Sequence, residues 1–157
     1  MTAVSYESIA SALAPLIEHA ADSFGMLVLH TRSENLHPLV ERLRNEFAFA
    51  LLLDVTAVDY PERTPRFDVV YHLYSRPLNR RVRVKTAVAE SEPRVATLTD
   101  LYGSARFMER ETHEMYGIEF AGNQDLRPIL LYEGFVGHPL RKDYAMDAEQ
   151  PIVDYRQ

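Results

Sequence analysis

Glu109, Glu111, His113 and Glu114 crowd the stretch ERETHE, and an adjacent His-Glu pair is half of the arrangement by which a helix holds catalytic zinc. Such a helix needs a second His four residues after the first, so that both imidazoles leave one face and the intervening Glu acts as base. Position 117 is Gly, which leaves the pattern incomplete. His138 is a further candidate ligand, and with Glu111, His113 and Glu114 it would define a metal-dependent hydrolase. Serine hydrolysis has no G-x-S-x-G turn to work from, and the six scattered glycines form no phosphate-cradling loop. The chain has no cysteine, so thiol catalysis, disulfides and iron–sulfur ligation by its own side chains are excluded together.

These residues sit on a stretch, Ser104 to Tyr116, that reads as a helix stopped by Gly117. At about 100° per residue, Phe107, Met108 and Met115 share one arc, and Glu111 projects from its middle. A buried carboxylate costs several kcal/mol unless a cation and hydrogen bonds compensate, so Glu111 is predicted to pair with Arg127 or Arg141. Glu109 and His113 fall on the far side, where solvent or a partner would meet them.

The elements that must position this helix follow from periodicity. Ser5 caps a first helix with Ile9, Leu13, Leu16 and Ile17 on one side and a break at Pro15. Phe24 to His30 is a short apolar strand. A second helix has Ser33 or Asn35 as cap, Pro38 in its first turn, and the stripe Leu36, Leu39, Val40, Leu43, Phe47. Strands follow at Ala50 to Val58, Phe67 to Ser75 and Arg80 to Val88. The last is a hairpin partner in which Val82 and Val84 alternate with Arg81, Arg83 and Lys85. Val95 to Tyr102 has helical spacing. The result is an α+β fold, a mostly antiparallel sheet with helices packed on it.

From Tyr132 to Gln157 the apolar period stops, while Tyr132, Phe135, Leu140, Tyr144, Ile152 and Tyr155 continue. Aromatics spaced along a segment without a core of its own suit wrapping over another protein. We therefore expect one domain over 1–131 and an extended, partner-binding carboxy-terminal arm over 132–157, docked at least from Gly134 to Tyr144. No apolar run approaches the roughly 20 residues of a membrane helix, and the amino terminus has no basic start followed by an apolar block. A soluble, unprocessed chain is the expectation. A net charge of -6 weighs against nucleic acid, although Arg80, Arg81, Arg83 and Lys85 with Tyr71 or Tyr74 would be the place to look for it.

Five runs in order carry a family resemblance: Glu109-Arg110-Glu111, Glu114-Met115-Tyr116-Gly117, Asp125-Leu126-Arg127, Ile129-Leu130-Leu131 and Gly137-His138-Pro139-Leu140-Arg141-Lys142-Asp143-Tyr144. With LLLDVTAVDYPERTPRFDVVYHLYS from Leu51 to Ser75, they make the chain resemble the C-type subunit family of bacterial proton-pumping NADH:quinone oxidoreductase, respiratory complex I. The resemblance covers most of the chain. Asn123 departs from the family's usual basic residue, Pro128 from a second one, Phe135 from Trp, and Glu114 from Asp.

The resemblance implies a structural subunit of the peripheral arm with no catalytic, cofactor-binding or metal-binding residue of its own. FMN and iron–sulfur clusters would sit in partner subunits, and contact would be closest with the quinone-site subunit and the iron–sulfur subunits. The implied location is the cytoplasmic face of the bacterial inner membrane, held there only through the complex. Glu111, Arg127 and Arg141 stand as structural ion-pair candidates. Glu109, His113, Phe135, His138, Leu140, Arg141, Lys142, Asp143 and Tyr144 stand as partner-interface candidates. The related subunit of membrane-bound hydrogenase or ferredoxin-dependent complexes is the near alternative, because it shares fold and signature.

Overall fold

A computed structural model describes residues 5–151; Ile152 and Tyr155 of the expected arm lie outside them. Helix α1 (Tyr6–Leu13) starts where the Ser5 hydroxyl accepts from the Ser8 N–H at 3.2 Å, and Pro15 turns its end into a single 3-10 turn. Strands β1 (His19–Ser23) and β2 (Met26–Thr31) form a hairpin about Phe24-Gly25. Strand β1, HAADS, has no counterpart among the strands expected from periodicity. It is exposed along almost its whole length, so it shows no alternation to read.

Helix α2 (Ser33–Phe47) buries Leu36, Leu39, Val40 and Leu43. Arg32 precedes it with no side-chain cap, and Pro38 lies inside the helix rather than in its first turn, so neither Ser33 nor Asn35 serves as the expected cap. Strands β3 (Leu51–Asp59), β4 (Phe67–Ser75) and β5 (Arg80–Val88) then form an antiparallel meander. The five-stranded sheet has the order β1-β2-β5-β4-β3, and its one parallel contact, β2 against β5, needs the crossover through α2 and the meander. The fold is α+β, with a mixed sheet that is antiparallel at every other pairing.

One sheet face carries the core. Leu27, Leu29, Val55, Phe67, Val69, Tyr71, Leu73, Val82 and Val84 point to the helices, and the opposite face bears His30, His72, Arg81, Arg83 and Lys85. Helix α3 (Ala105–Tyr116) lies along the edge strand β3, where the Thr112 hydroxyl donates to the Val55 carbonyl at 2.8 Å. Side-chain donors there occupy edge carbonyls that would otherwise template another strand.

The helix expected over Val95 to Tyr102 is replaced by strand β6 (Arg94–Ala96), paired in parallel with β7 (Glu119–Ala121), and then turns. The reason is local. The Thr97 hydroxyl accepts from the Thr99 N–H at 3.2 Å and the Leu98 N–H is taken by Glu109 at 2.7 Å, so side chains outcompete helical bonding.

Tyr71 is fully buried, and its hydroxyl has no hydrogen-bond partner among the described residues. Tyr71→Phe is therefore expected to raise stability by about 1 kcal/mol, because an unmatched buried hydroxyl costs roughly that much. Urea denaturation of the purified chain would measure it. A lower midpoint would show that the hydroxyl is satisfied.

Candidate functional site

Helix α3 is rotated from the orientation that apolar spacing predicts. Phe107 is 55% exposed and Glu111 is exposed, while Ala105, Glu109, Thr112 and Glu114 are buried. The expected ion pair does not form: Glu111 meets neither arginine, Arg127 pairs with Asp125 at 2.9 Å on the surface, and Arg141 binds a backbone carbonyl. Nor does Glu109 face outward, since it is fully buried. Helix spacing misleads because α3 is flanked on two sides by irregular chain rich in backbone donors, which makes polar positions buriable.

Glu109 and Glu114 diverge by about 140° around the helix and hold different segments. Glu109 accepts from the Leu98 N–H at 2.7 Å, the Thr97 hydroxyl at 2.6 Å and the Asn123 amide at 2.9 Å. Burial pushes its pKa up, opposed by these three bonds. Asn123, the departure from a basic residue, thus acts as a neutral donor to a buried carboxylate. Glu114 accepts from the N–H groups of Ile129, Leu130 and Leu131 at 3.0, 2.8 and 3.3 Å, and Arg110 donates to the carbonyls of Arg127 and Pro128 at 2.9 and 2.8 Å. A segment with no ladder of its own is pinned by α3.

The chain then returns across the end of that helix. His138 Nδ1 contacts the Glu114 carbonyl at 2.8 Å, the Leu140 N–H donates to Met115 at 3.2 Å, and Arg141 Nε donates to Tyr116 at 2.6 Å. These are the carbonyls a helix terminus leaves unpaired, and the donors meet the negative end of its dipole. Gly117 has φ +76, and a Cβ there would sit 2.6 Å from His138 Nε2 and 2.7 Å from Arg141 Nη2. The residue that removes the zinc motif is what lets the arm close on the helix.

Beyond it, the Lys142 N–H donates to Asp59 Oδ2 at 2.7 Å. Asp59 and Arg66 are both buried and joined by two bonds of 2.7 and 2.8 Å, and Arg66 also reaches Glu90 at 2.7 Å and Asp143 at 3.0 Å. Arg66 holds both aspartates below the usual carboxylate range, and the Lys142 N–H adds to this at Asp59. Arg141 also lies over the Phe67 ring at 5.1 Å. Phe135 and Tyr144 stack at 6.1 Å.

His138, Arg141 and Asp143 therefore turn their polar groups to their own domain, and His113 Nδ1 contacts the Ile118 carbonyl at 2.8 Å. Among the side chains left outside, beside the exposed Arg127, Glu133 and Lys142, are three large apolar ones: Leu130 is 63% exposed, Val136 66% and Leu140 49%. Among the described residues no three His, Asp or Glu side chains are placed to share a metal ion, and no helix is long and apolar enough to cross a membrane. Spacing alone does not single out the Asp59–Arg66 pair; the one signal is an acid closing β3 and a base just before β4.

Residues 29–150 match the family described as the 30 kDa subunit of the respiratory-chain NADH dehydrogenase. The chain is 46% identical over 140 residues to the C-type subunit of NADH-quinone oxidoreductase from Sinorhizobium medicae, covering 88% of this chain and 69% of that protein. To the corresponding subunit of a Ruegeria species it is 51% identical over 122 residues, covering 76% and 60%. The chain thus spans roughly two thirds of the length of such relatives. Among solved structures it is similar to the trypsin-resistant fragment of Nqo5, with TM-score 0.56, 35% identity, and 69% of this chain and 89% of that one covered. A chain of an archaeal membrane-bound sulfane sulfur reductase matches at TM-score 0.76 and 28% identity, covering 89% and 83%.

Because Asp59 and Asp143 titrate below their ordinary value, their contribution is fully present above that value and is lost as pH falls through the depressed ones. Acidification below about pH 4 is expected to lower amide-exchange protection at Lys142 and Asp143 before the β4–β5 amides. Asp59→Asn should do so at neutral pH and cost about 3 kcal/mol, since it breaks a buried pair. Unchanged protection at Lys142 would show that Asp59 does not anchor the arm.

Proposed function

Since the chain belongs to the family of the 30 kDa subunit of respiratory-chain NADH dehydrogenase, we propose that it is a cofactor-free structural subunit of the peripheral arm of a proton-pumping NADH:quinone oxidoreductase. The complex would pass electrons from NADH through FMN and iron–sulfur clusters in partner subunits to quinone. This chain supports that path by holding neighbours, foremost the quinone-site subunit and iron–sulfur subunits, at the cytoplasmic face of the membrane. It has no turnover of its own.

The observation that carries this reading is the division of labour along the arm. Main-chain N–H groups of Ile129, Leu130, Leu131, Leu140 and Lys142 and the side chains of His138, Arg141 and Asp143 are tied to the domain, while Leu130, Val136 and Leu140 expose their side chains. Exposed apolar side chains on a segment tied down by its backbone suit a permanent protein contact. Electron transfer and quinone reduction depend on positions held to fractions of an ångström, so a stiff scaffold contributes without touching substrate. The likeness to a sulfane sulfur reductase chain keeps open a place in a related complex with another electron donor, but the identity there is 28% against 46% and more for the NADH-linked relatives.

The test is affinity purification of the tagged chain from its native membrane, with subunit identification and NADH:quinone activity. Co-purification with flavin-bearing and iron–sulfur subunits is expected, and a monomer without partners would overturn the reading. Val136→Asp is expected to leave the thermal midpoint of the isolated chain within about 2 °C while lowering its recovery in the complex about tenfold. Normal recovery would show that the arm's outer side is not the contact.

A further inference from the structure

One end of the sheet forms an open groove of about 870 Å³, lined by Tyr6 of α1, by Phe24, Leu51, Leu53 and Tyr74 on β1–β2 and β3–β4, and by arginines of β5. Neither the arm nor the carboxylate anchors use it. Two backbone irregularities put apolar side chains there. Phe24 occupies the β1–β2 turn at φ +53 with its ring wholly exposed, although a left-handed backbone costs a bulky L-residue about 1–2 kcal/mol and Asn or Gly would fit. A bulge between Leu52 and Asp54 turns both Leu53 and Asp54 outward, leaving Leu53 41% exposed beside Leu51.

Arg80, Arg81 and Arg83 form the other wall. Among the described residues none of the three has a carboxylate within ion-pair distance, a condition shared by Arg44, Arg76, Arg106 and Arg141, but these three lie together on one strand and line one groove. Two of them are held in place: Arg80 lies over the Tyr6 ring at 4.5 Å, and Arg83 Nε donates to His72 Nε2 at 2.9 Å. In a chain of net charge -6, this is a local positive site beside an apolar one.

We propose that this groove receives a segment of a neighbouring protein subunit, which seats an apolar side chain against Phe24 and Leu53 and sets Asp or Glu carboxylates on Arg80, Arg81 and Arg83. Guanidinium forks match carboxylates in two-bond geometry, the aliphatic Leu51 and Leu53 suit an apolar side chain, and the net charge of -6 weighs against a polyanion. The occupant is thus an acidic-apolar polypeptide rather than a nucleic acid. The inference rests on the proposed function, in which the chain works inside an assembly, and assigns it a second contact apart from the arm.

Three measurements on the tagged chain in its native complex decide it. A photoreactive benzoylphenylalanine at position 24 is expected to cross-link to another subunit at a peptide carrying Asp or Glu beside the attachment point. Phe24→Asn is expected to raise the thermal midpoint of the isolated chain, because Asn tolerates the turn, yet lower its recovery in the complex severalfold. Arg81→Glu should lower recovery about tenfold, restored when the cross-linked acid is changed to Lys. Wild-type chain recovered in the complex, but with cross-links only to lipid or nucleic acid, or with both variants recovered normally, overturns the groove contact alone. Wild-type chain found in no complex overturns it together with the proposed function.

Discussion

A carboxylate removed from water must be given donors, and that requirement organises this molecule. Glu109, Glu114 and Asp59 are buried, and each is met mainly by irregular chain: residues 97–98 and 123, residues 129–131, and residue 142 with Arg66. Each group costs several kcal/mol unless these bonds form, so the segments supplying them are fixed as firmly as the acids are buried. The described stretch after β7 has neither helix nor strand, yet the N–H groups of residues 129–131, 140 and 142 and the carbonyls of 127 and 128 are taken by α3 and Asp59.

Where burial is a matter of apolar periodicity, the sequence was legible. β4 and β5 stand at the residues alternation predicts, and the stripe of α2 is the buried one. Its failures have one cause. β1 pairs through its backbone while its side chains stay exposed, the 97–102 stretch is shaped by Thr side chains and Glu109, and α3 buries acids. Backbone hydrogen bonding decided each of these, and side-chain spacing carries little trace of it. The ERE run shows this most plainly. Its first acid is internal, its arginine ties down residues 127–128, and its second acid, the one predicted to be central, is free in solvent.

Residue types at the end of α3 also acquire reasons that motif matching could not supply. Gly117 is needed twice, once for a left-handed stop and once because His138 and Arg141 occupy the space a Cβ would fill. Substitution there would add backbone strain and a clash together, and the arm would have to move off the carbonyls it covers.

Anchoring by main chain and charge has a consequence that hydrophobic docking would not have. An arm held by burying its own apolar side chains would have none left to offer a partner. Here the polar groups of His138, Arg141 and Asp143 do the holding, which leaves Leu130, Val136 and Leu140 outside on a backbone already ordered. Ordering a loop at the moment of association is a large part of what binding opposes, so in the proposed assembly a pre-tied arm would meet a neighbour at lower entropic cost than a frayed terminus. That is the physical advantage of a segment whose composition looks disordered but whose every few residues reach a buried charge or a helix end.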